Sequence, residues 1–445
     1  MKYFGTDGIR GKYGKWPVRE EFAHKLGSAL FDYMGKGSKG RRLLLGMDTR
    51  ESGPLLADAL LDGFASAGGE VDLVGVAPTP AIAFGVRKGS YDMGVVISAS
   101  HNPWIYNGFK LFDGSGSKLS KEEEERIEEI LKEEISLEEY LSQGPGKIEE
   151  FKDLYLGFLL SSVGTTDALK GFCVLMDCAN GSTSSFAPLL FERLGARWEA
   201  YFCNPDGKNI NEGCGSEHPQ VLAAKMKEGH YDLGLCFDGD GDRLVAIDEK
   251  GDVISGDHLL YIFALYLYSK GGLRGNKLVT TIMSNTGLKV ALAHLGIGVY
   301  ETDVGDRNVF YEMRKRDALL GGEESGHIIF GDRHTTGDGL LSALILMEAM
   351  AYFGKSLSEL VSGFKPFPKG TKNLEVGKRI PLDQIPGFLP FLEGQRRDLG
   401  DRGKIVVRYS GTEPLIRVMV EAEDEVKVKK ILDEITQRLS PYTLP

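Results

Sequence analysis

Three aspartates alternate with two glycines in the string FDGDGDRLVAID, residues 237 to 248, at positions Asp238, Asp240 and Asp242. In an extended loop, residues two apart share a face, and glycines let the backbone fold closely around a ligand. Three carboxylates on one face repel each other unless a cation sits between them, and hard oxygen donors in that number suit Mg2+ or Ca2+. An EF-hand is the rival pattern, with Glu249 at its twelfth position. However, its sixth position holds Arg243, where that loop requires glycine, and LVAID reads as a strand. A charged turn at a strand end is the plainer alternative, and metal binding accounts better for three aspartates so close together.

A second chemical string is ISASHNPWIYNGFK, residues 97 to 110, where Ser100 precedes His101, Asn102 and Pro103 and Lys110 follows a turn expected at Asn107-Gly108. A hydrolase nucleophile would call for a G-x-S-x-G elbow, which the sequence lacks. The adjacent His101 is poorly placed as a base, because neighbouring side chains diverge. The alternative is a serine that carries a phosphoryl group beside a divalent cation. His101 and Lys110 are then candidates for proton transfer or for holding the loop, and an ordinary structural histidine is the competing reading of His101.

Two further loops add donors. In RYSGTEPLIR, residues 408 to 417, Arg408, Ser410, Thr412 and Arg417 surround Gly411, an arrangement that can clamp a phosphate through side chains and exposed backbone N–H groups. In GGEESGHIIF, residues 321 to 330, Glu323, Ser325 and His327 alternate, and a carboxylate with a hydroxyl suits the gripping of sugar hydroxyls. A hairpin turn with surface arginines and a turn with an incidental histidine are the plainer readings of these two loops.

The elements around the loops must position them. Strand-like RRLLLGMD, helical ESGPLLADALLDGFASAG, then EVDLVGV and DMGVVIS give an α/β rhythm that predicts a parallel sheet. The acidic segment SKEEEERIEEILKEEISLEEYL, with Ile127, Ile130, Leu131 and Ile135 at helical spacing, predicts an amphipathic helix whose carboxylates face water. The rhythm restarts after SQGPGK, residues 142 to 147, and again near Gly256, without a strict sequence repeat. Past FKPFPKGTKN, two strands and a terminal helix predict a smaller α+β domain. The expected domains are 1–145, 146–250, 251–366 and 367–445, three similar α/β units and one α+β unit.

With 445 residues, 42% hydrophobic and 26% charged, the chain is of multidomain, globular type, and no apolar run has membrane-spanning length. The start shows no secretory h-region, so a cytoplasmic location is expected. A net charge of −11 argues against nonspecific nucleic-acid binding, so an anionic ligand must be met by local groups. Five cysteines without a C-x-x-C pair predict reduced, mostly buried thiols.

Taken in order, YFGTDGIRG, SASHNP with NGFK, NPDGKNINEGCGSEHP, FDGDGDR, VGDRNV, GGEESGH, TTGDGLLSAL and RYSGTEPLIRVM resemble the α-D-phosphohexomutase superfamily over the whole chain, and within it the bacterial phosphoglucosamine mutase branch. The resemblance implies four domains around a central cleft. It implies phosphorylation of Ser100, with Mg2+ held by Asp238, Asp240, Asp242 and a phosphoserine oxygen, and Arg243 near the phosphoryl group. Glu323 and Ser325 would contact the sugar, and Arg408, Ser410, Gly411, Thr412 and Arg417 the distal phosphate. Thr6, Asp7 and Arg10 would border the site, with Arg10 as a phosphoryl contact and Lys110 or His327 as the proton-transfer group.

The implied enzyme is an intramolecular phosphotransferase that interconverts glucosamine 6-phosphate and glucosamine 1-phosphate through a hexosamine bisphosphate. It would feed UDP-N-acetylglucosamine synthesis and act as a monomer or homodimer on a small-molecule sugar phosphate, with no nucleic acid or membrane partner. The sequence departs from many members of that branch at Glu324, where they carry Gln, and at Trp104-Ile105-Tyr106. Position 324 lies in the sugar loop, so a phosphomannomutase or phosphoglucomutase of the same superfamily is the alternative. A non-catalytic sugar-phosphate-binding protein is the alternative of another class, against which Ser100 and the three aspartates count.

Overall fold

The computed structural model describes residues 2–5, 7–35, 41–132, 148–164, 167–410 and 414–444. Thr6, Ile135, the break at 142–147, Gly411 and Thr412 lie outside the described residues. The chain divides into two compact units, one formed by 1–283 with 300–361 and the other by 284–299 with 362–445.

The first unit holds three sheets. In the first, β1 (Ile9–Lys12), β2 (Arg42–Met47), β3 (Glu70–Val76), β4 (Met93–Ile97) and β5 (Tyr106–Asp113) lie in the order β1-β5-β4-β2-β3. The apolar run of β2 is buried on both faces, as a central strand covered by helices must be. Leu43 and Leu45 join the core formed with Phe22, Leu26, Leu56, Leu60 and Phe64 of the helices Glu20–Tyr33 and Gly53–Ser66. The helix Thr79–Gly89 packs against β2 and β4. In the second sheet, β6 (Cys173–Asp177), β7 (Arg197–Tyr201), β8 (Leu233–Phe237), β9 (Leu244–Ile247) and β10 (Val253–Ile254) run in the order β10-β9-β8-β6-β7. The third contains β11 (Lys277–Thr281), β12 (Gly298–Thr302), which belongs to this unit from Tyr300 on, β13 (Leu320–Gly322) and β14 (Ile328–Phe330), in the order β12-β11-β13-β14.

Although no sequence repeat is strict, the three sheets repeat one topology. Successive strands β2 to β5, β6 to β9 and β11 to β14 are each ordered fourth-third-first-second. The sheets are mixed rather than parallel. The fourth strand of each set returns antiparallel to the third, as β5 does to β4, β9 to β8 and β14 to β13, because a short hairpin connects them.

Two further expectations are corrected. Asn107-Gly108 forms no turn but lies inside β5, paired with β1 at Gly11 and Arg10. Glycine is required at 108 by close approach, since a Cβ there would meet the Ile9 carbonyl oxygen at 2.2 Å. The acidic helix spans Lys121–Ile130, and not all its carboxylates face water. Glu124 and Glu128 are buried on the side that carries Ile127, Glu124 pairing with Arg307 at 2.5 Å and Glu128 accepting the N–H groups of Lys2, Tyr3 and Phe4. The five cysteines are free thiols, with Cys178, Cys214 and Cys236 buried and Cys173 and Cys203 half-buried.

The second unit is the smaller α+β element. Its sheet, in the order β15-β17-β16, comprises β15 (Lys369–Glu375), β16 (Gly403–Tyr409) and β17 (Leu415–Ala422), all antiparallel neighbours. Ile431, Ile435 and Leu439 of the helix Glu425–Leu439 complete its core with Val418 and Val420. No helix among the described residues is long and apolar enough to cross a membrane.

Candidate active site

Each chemically marked loop of the first unit occupies the same place in the repeated topology. The Ser100 loop joins β4 to β5, the aspartate loop joins β8 to β9, and the Glu323–His327 loop joins β13 to β14. Three loops at equivalent hairpins explain how motifs far apart in the sequence form one site.

Ser100 is buried, with a left-handed backbone (φ 53°), and its Oγ donates a 2.6 Å hydrogen bond to Asp238 Oδ2. The aspartates converge through a turn, not through an extended strand. Gly241 takes φ 72° and its N–H bonds the Asp238 carbonyl oxygen, which brings Asp242 round to its partners. One carboxylate oxygen from each of Asp238, Asp240 and Asp242 lies within 4.8 Å of the others, and all three residues are buried. Lys110, 1% exposed, reaches them from β5, with Nζ 2.6 Å from Asp240 Oδ2 and 2.7 Å from Asp242 Oδ2.

The electrostatics are uneven. Burial pushes the Asp238 carboxyl well above the usual range, reinforced by Asp242 and Asp240. Burial acts the same way on Asp242, but Lys110 and His327 overcome it and hold that carboxyl well below the usual range. Burial disfavours the Lys110 ammonium, yet Asp240, Asp242 and Asp7 raise its pKa well above the ordinary lysine value. Oδ1 of Asp240 and Oδ1 of Asp242 are buried without a hydrogen-bond partner. Unsatisfied buried carboxylate oxygens are costly, and converging hard oxygens of this kind fit a divalent cation.

A cavity of about 650 Å3, within the range of roughly 300–1,000 Å3 usual for small-molecule sites, adjoins the cluster. Asp7, Arg10, Glu217, Asp242, Arg243, Asp306, Glu323, Ser325 and His327 line it. Arg10, on β1, pairs with Asp7, and Arg243 Nη1 lies 3.5 Å from Glu217 Oε1. Burial raises the Glu323 carboxyl, whose Oε1 accepts the Gly305 N–H at 3.1 Å. His101 is lowered to about 4 by burial and by Arg243, so its ring is neutral near pH 7. His327 Nε2 lies 2.9 Å from Gly337 N and 3.4 Å from Asp306, and its Nδ1 lies 3.7 Å from Asp242; burial disfavours the imidazolium, but these two carboxylates raise its pKa above the ordinary histidine value.

Sequence reasoning missed the group that ties this wall together. Lys118, nearly buried, forms ion pairs with both Asp7 and Asp306, and Asp306 lies 3.4 Å from His327 Nε2. Asp306 stands in the VGDRNV string, whereas nothing marks Lys118 in its own segment.

In the second unit Arg408 and Arg417 face each other directly in the β16–β17 register, and both are exposed. Like charges placed directly opposite each other on two strands are unfavourable. Ser410 is buried, and its carbonyl oxygen accepts a 2.6 Å bond from Arg379, a residue the sequence did not single out.

Four phosphoglucomutase/phosphomannomutase family models match: α/β/α domain I over residues 1–138, domain II over 153–251, domain III over 255–367 and the C-terminal domain over 372–438. A phosphoglucosamine mutase of Desulfotalea psychrophila is 43% identical over 440 residues, covering 98% of both chains. The chain belongs to the phosphoglucosamine mutase family. The phosphoglucosamine mutase of Carboxydothermus hydrogenoformans is 44% identical over 437 residues, again covering 98% of each chain. Among solved structures, a phosphoglucomutase/phosphomannomutase family protein from Burkholderia thailandensis superposes with a TM-score of 0.80 at 25% identity, over 98% of this chain and 97% of that one.

Proposed function

We propose that the protein interconverts glucosamine 6-phosphate and glucosamine 1-phosphate through a phosphoserine at Ser100. The observation that carries the proposal is the buried Ser100 hydroxyl bonded to Asp238 within a three-aspartate cluster beside a polar cavity. Family membership supports the amino sugar. Asp238, Asp240 and Asp242, with Ser100 as the fourth donor, would hold Mg2+, and the unpartnered Asp240 and Asp242 oxygens support that set. When bound, the ion would supply positive charge against the phosphoryl oxygens.

The chain's own residues would do the rest. Arg10 and Arg243 neutralise charge on the phosphoryl group in flight, which a loose transition state requires. The bond from phosphorus to Ser100 Oγ breaks as one to the sugar hydroxyl forms. Lys110 is held as the ammonium by its carboxylate surroundings, so it donates the proton that Ser100 Oγ takes up as it leaves phosphorus, and the sugar hydroxyl proton passes to a phosphoryl oxygen. Lys110 is preferred to His327, because the His327 ring nitrogens face Gly337 and Asp242. His101 would hold the Ser100 loop.

Glu323 and Ser325 would grip sugar hydroxyls. Arg408, Ser410, Gly411, Thr412 and Arg417 would take the phosphate that both sugar orientations share, and the opposed Arg408 and Arg417 support a dianion there. The strands of one sheet fall within each of 1–145, 251–366 and 367–445, and those of the second sheet within 146–250 apart from β10 at Val253–Ile254, which supports those ranges with the second boundary a few residues later. A charged substrate that does not cross a bilayer supports a cytoplasmic location.

The test incubates the protein with glucosamine 6-phosphate, Mg2+ and a catalytic amount of hexosamine bisphosphate. Ser100→Ala should abolish isomerisation and remove one phosphoryl group from the intact mass. Turnover equal to wild type in Ser100→Ala would overturn the carrier, and faster turnover of mannose or glucose 6-phosphate would overturn the substrate.

A further inference from the structure

After β2 the chain passes through Asp48, Thr49 and Arg50 before the helix Gly53–Ser66 begins. Arg50 is fully buried, and its guanidinium reaches the Ser100 loop. Nη1 donates to the carbonyl oxygens of Pro103 at 2.5 Å and Tyr106 at 2.8 Å, and Nη2 to those of Ser100 at 2.9 Å and Asn102 at 2.8 Å. Nε is 2.9 Å from Asp48 Oδ2, which balances the charge. The same carboxylate oxygen accepts Ser98 Oγ at 2.6 Å, and Ser98 Oγ accepts the Ser100 N–H at 2.8 Å. From the second sheet's domain, Asn211 Nδ2 bonds the Ser100 carbonyl oxygen at 2.9 Å and that of Asn102 at 3.1 Å.

A simple buried ion pair would use Arg50 only to balance Asp48. Instead both terminal nitrogens of its planar fork go to loop carbonyls, two each, a geometry that a lysine cannot reproduce. The loop needs such a scaffold. Its own backbone supplies little beyond Asn102 N to Ala99 O and Tyr106 N to Pro103 O, while Ser100 holds a left-handed conformation uncommon for a residue with a side chain.

We propose that Arg50 is the positioning residue of the Ser100 loop, its fork fixing four carbonyls so that Ser100 stays left-handed with Oγ aimed at Asp238. Asn211 is the second, weaker tether. The proposal rests on Ser100 being the phosphoryl carrier. Arg50 lies outside the cavity lining, so its loss acts on the serine's aim and not on sugar binding.

The test uses Arg50→Lys, which keeps the charge beside Asp48 and removes the fork, with Asn211→Ala as the second variant. Misplacing a reacting group by about 1 Å can cost on the order of 100-fold, so kcat should fall ~100-fold in Arg50→Lys and ~10-fold in Asn211→Ala, with KM within ~3-fold. Amide hydrogen exchange of 98–106 should quicken ~10-fold in Arg50→Lys while β4 stays protected, since local opening follows the bonds lost.

The proposal is overturned if folded Arg50→Lys keeps wild-type exchange in 98–106, or if exchange rises equally across the whole first sheet. It is also overturned if kcat is unchanged in a protein whose wild type turns over. Should Arg50→Lys fail to fold, Asn211→Ala decides: faster exchange confined to 98–106 supports the tethered loop, and unchanged exchange overturns it. Exchange is measured without substrate, so failure of the Ser100 reading would appear in wild-type turnover and mass alone, separate from failure of the Arg50 proposal.

Discussion

Replacing Lys110 by Met should make the stability of the first unit depend on a divalent cation. Two unit charges 4.8 Å apart repel by about 3–4 kcal/mol at an effective dielectric of about 20, a repulsion that the aspartate cluster, with its oxygens within that distance, relieves in part by pushing the Asp238 carboxyl well above the usual range. Against this, Lys110 Nζ is 2.6 and 2.7 Å from two of the carboxylates. Each contact is worth ~6 kcal/mol on the same scale before the desolvation of the ammonium is subtracted. Removing one partner of a buried pair costs a net 3–5 kcal/mol. At about 2–4 °C per kcal/mol, Lys110→Met in EDTA should melt roughly 10 °C below wild type.

Adding Mg2+ then separates the two possible roles of the lysine. A cation at one hundred times its Kd contributes about 2.7 kcal/mol, so Mg2+ should restore more than half of the loss. It should raise the melting temperature of Lys110→Met by several degrees more than that of wild type, where the ammonium already offsets the carboxylates. Thermal melts of both proteins, with EDTA and with saturating Mg2+, measure this without any turnover. If Mg2+ raises neither melting temperature, the carboxylates do not converge on a shared cation, and if the increment is the same in both, Lys110 does not offset them and the electrostatic reasoning fails.

Other outcomes are expected elsewhere. Burial pushes Asp177 up to about 6 against the amides of Gly215 and Ala179, so its contribution to stability is complete below 3.8 and is lost as pH rises through about 6. A carboxyl raised that far corresponds to about 3 kcal/mol, and urea unfolding should show wild type losing that much relative to Asp177→Asn between pH 4 and 6.5; parallel curves would refute it. Gly108→Ala places a methyl 2.2 Å from the Ile9 carbonyl oxygen and should cost about 3 kcal/mol of stability, whereas a loss under about 0.5 kcal/mol would show that β1 and β5 separate freely. Glu128→Gln weakens the acceptor of three N–H groups at Lys2, Tyr3 and Phe4, a loss of about 2 kcal/mol that should speed proteolysis near the amino terminus.

The loops that carry chemistry were legible because their residue types are chemically narrow: three aspartates among glycines, a serine before HNP, arginines around SGT. The strands beside them were legible from apolar runs, and the repeated rhythm foretold the repeated topology. What escaped were interactions whose two ends share no local pattern. Lys118 meets Asp7 across 111 positions and Asp306 across 188, and a lysine in a short polar segment reads as surface. Arg50 lies just past a strand end, where an arginine normally faces water. Asn107-Gly108 misled because turn propensity is local, whereas the demand for glycine there comes from a carbonyl oxygen on a neighbouring strand. The glutamate helix misled similarly, since composition reveals how many carboxylates it has and not that Glu124 and Glu128 share the buried side with Ile127.

Charge balance explains why a protein of net charge −11 can still be built to take phosphates. Asp7, Asp238, Asp240, Asp242, Asp306 and Glu323 face Arg10, Lys110, Lys118 and Arg243 around one cavity and its adjoining cluster. The carboxylates outnumber the fixed cations, so the site as built would repel a phosphoryl dianion. A divalent cation among the aspartates would cancel that excess beside the Ser100 hydroxyl, where the phosphoryl group is proposed to sit, while the acid–base pairs along the wall remain in place. Anion affinity would therefore be conditional on the metal. A phosphate analogue should protect the first unit against heat only when Mg2+ is present, and equal protection in EDTA would show that Arg10 and Arg243 suffice without it.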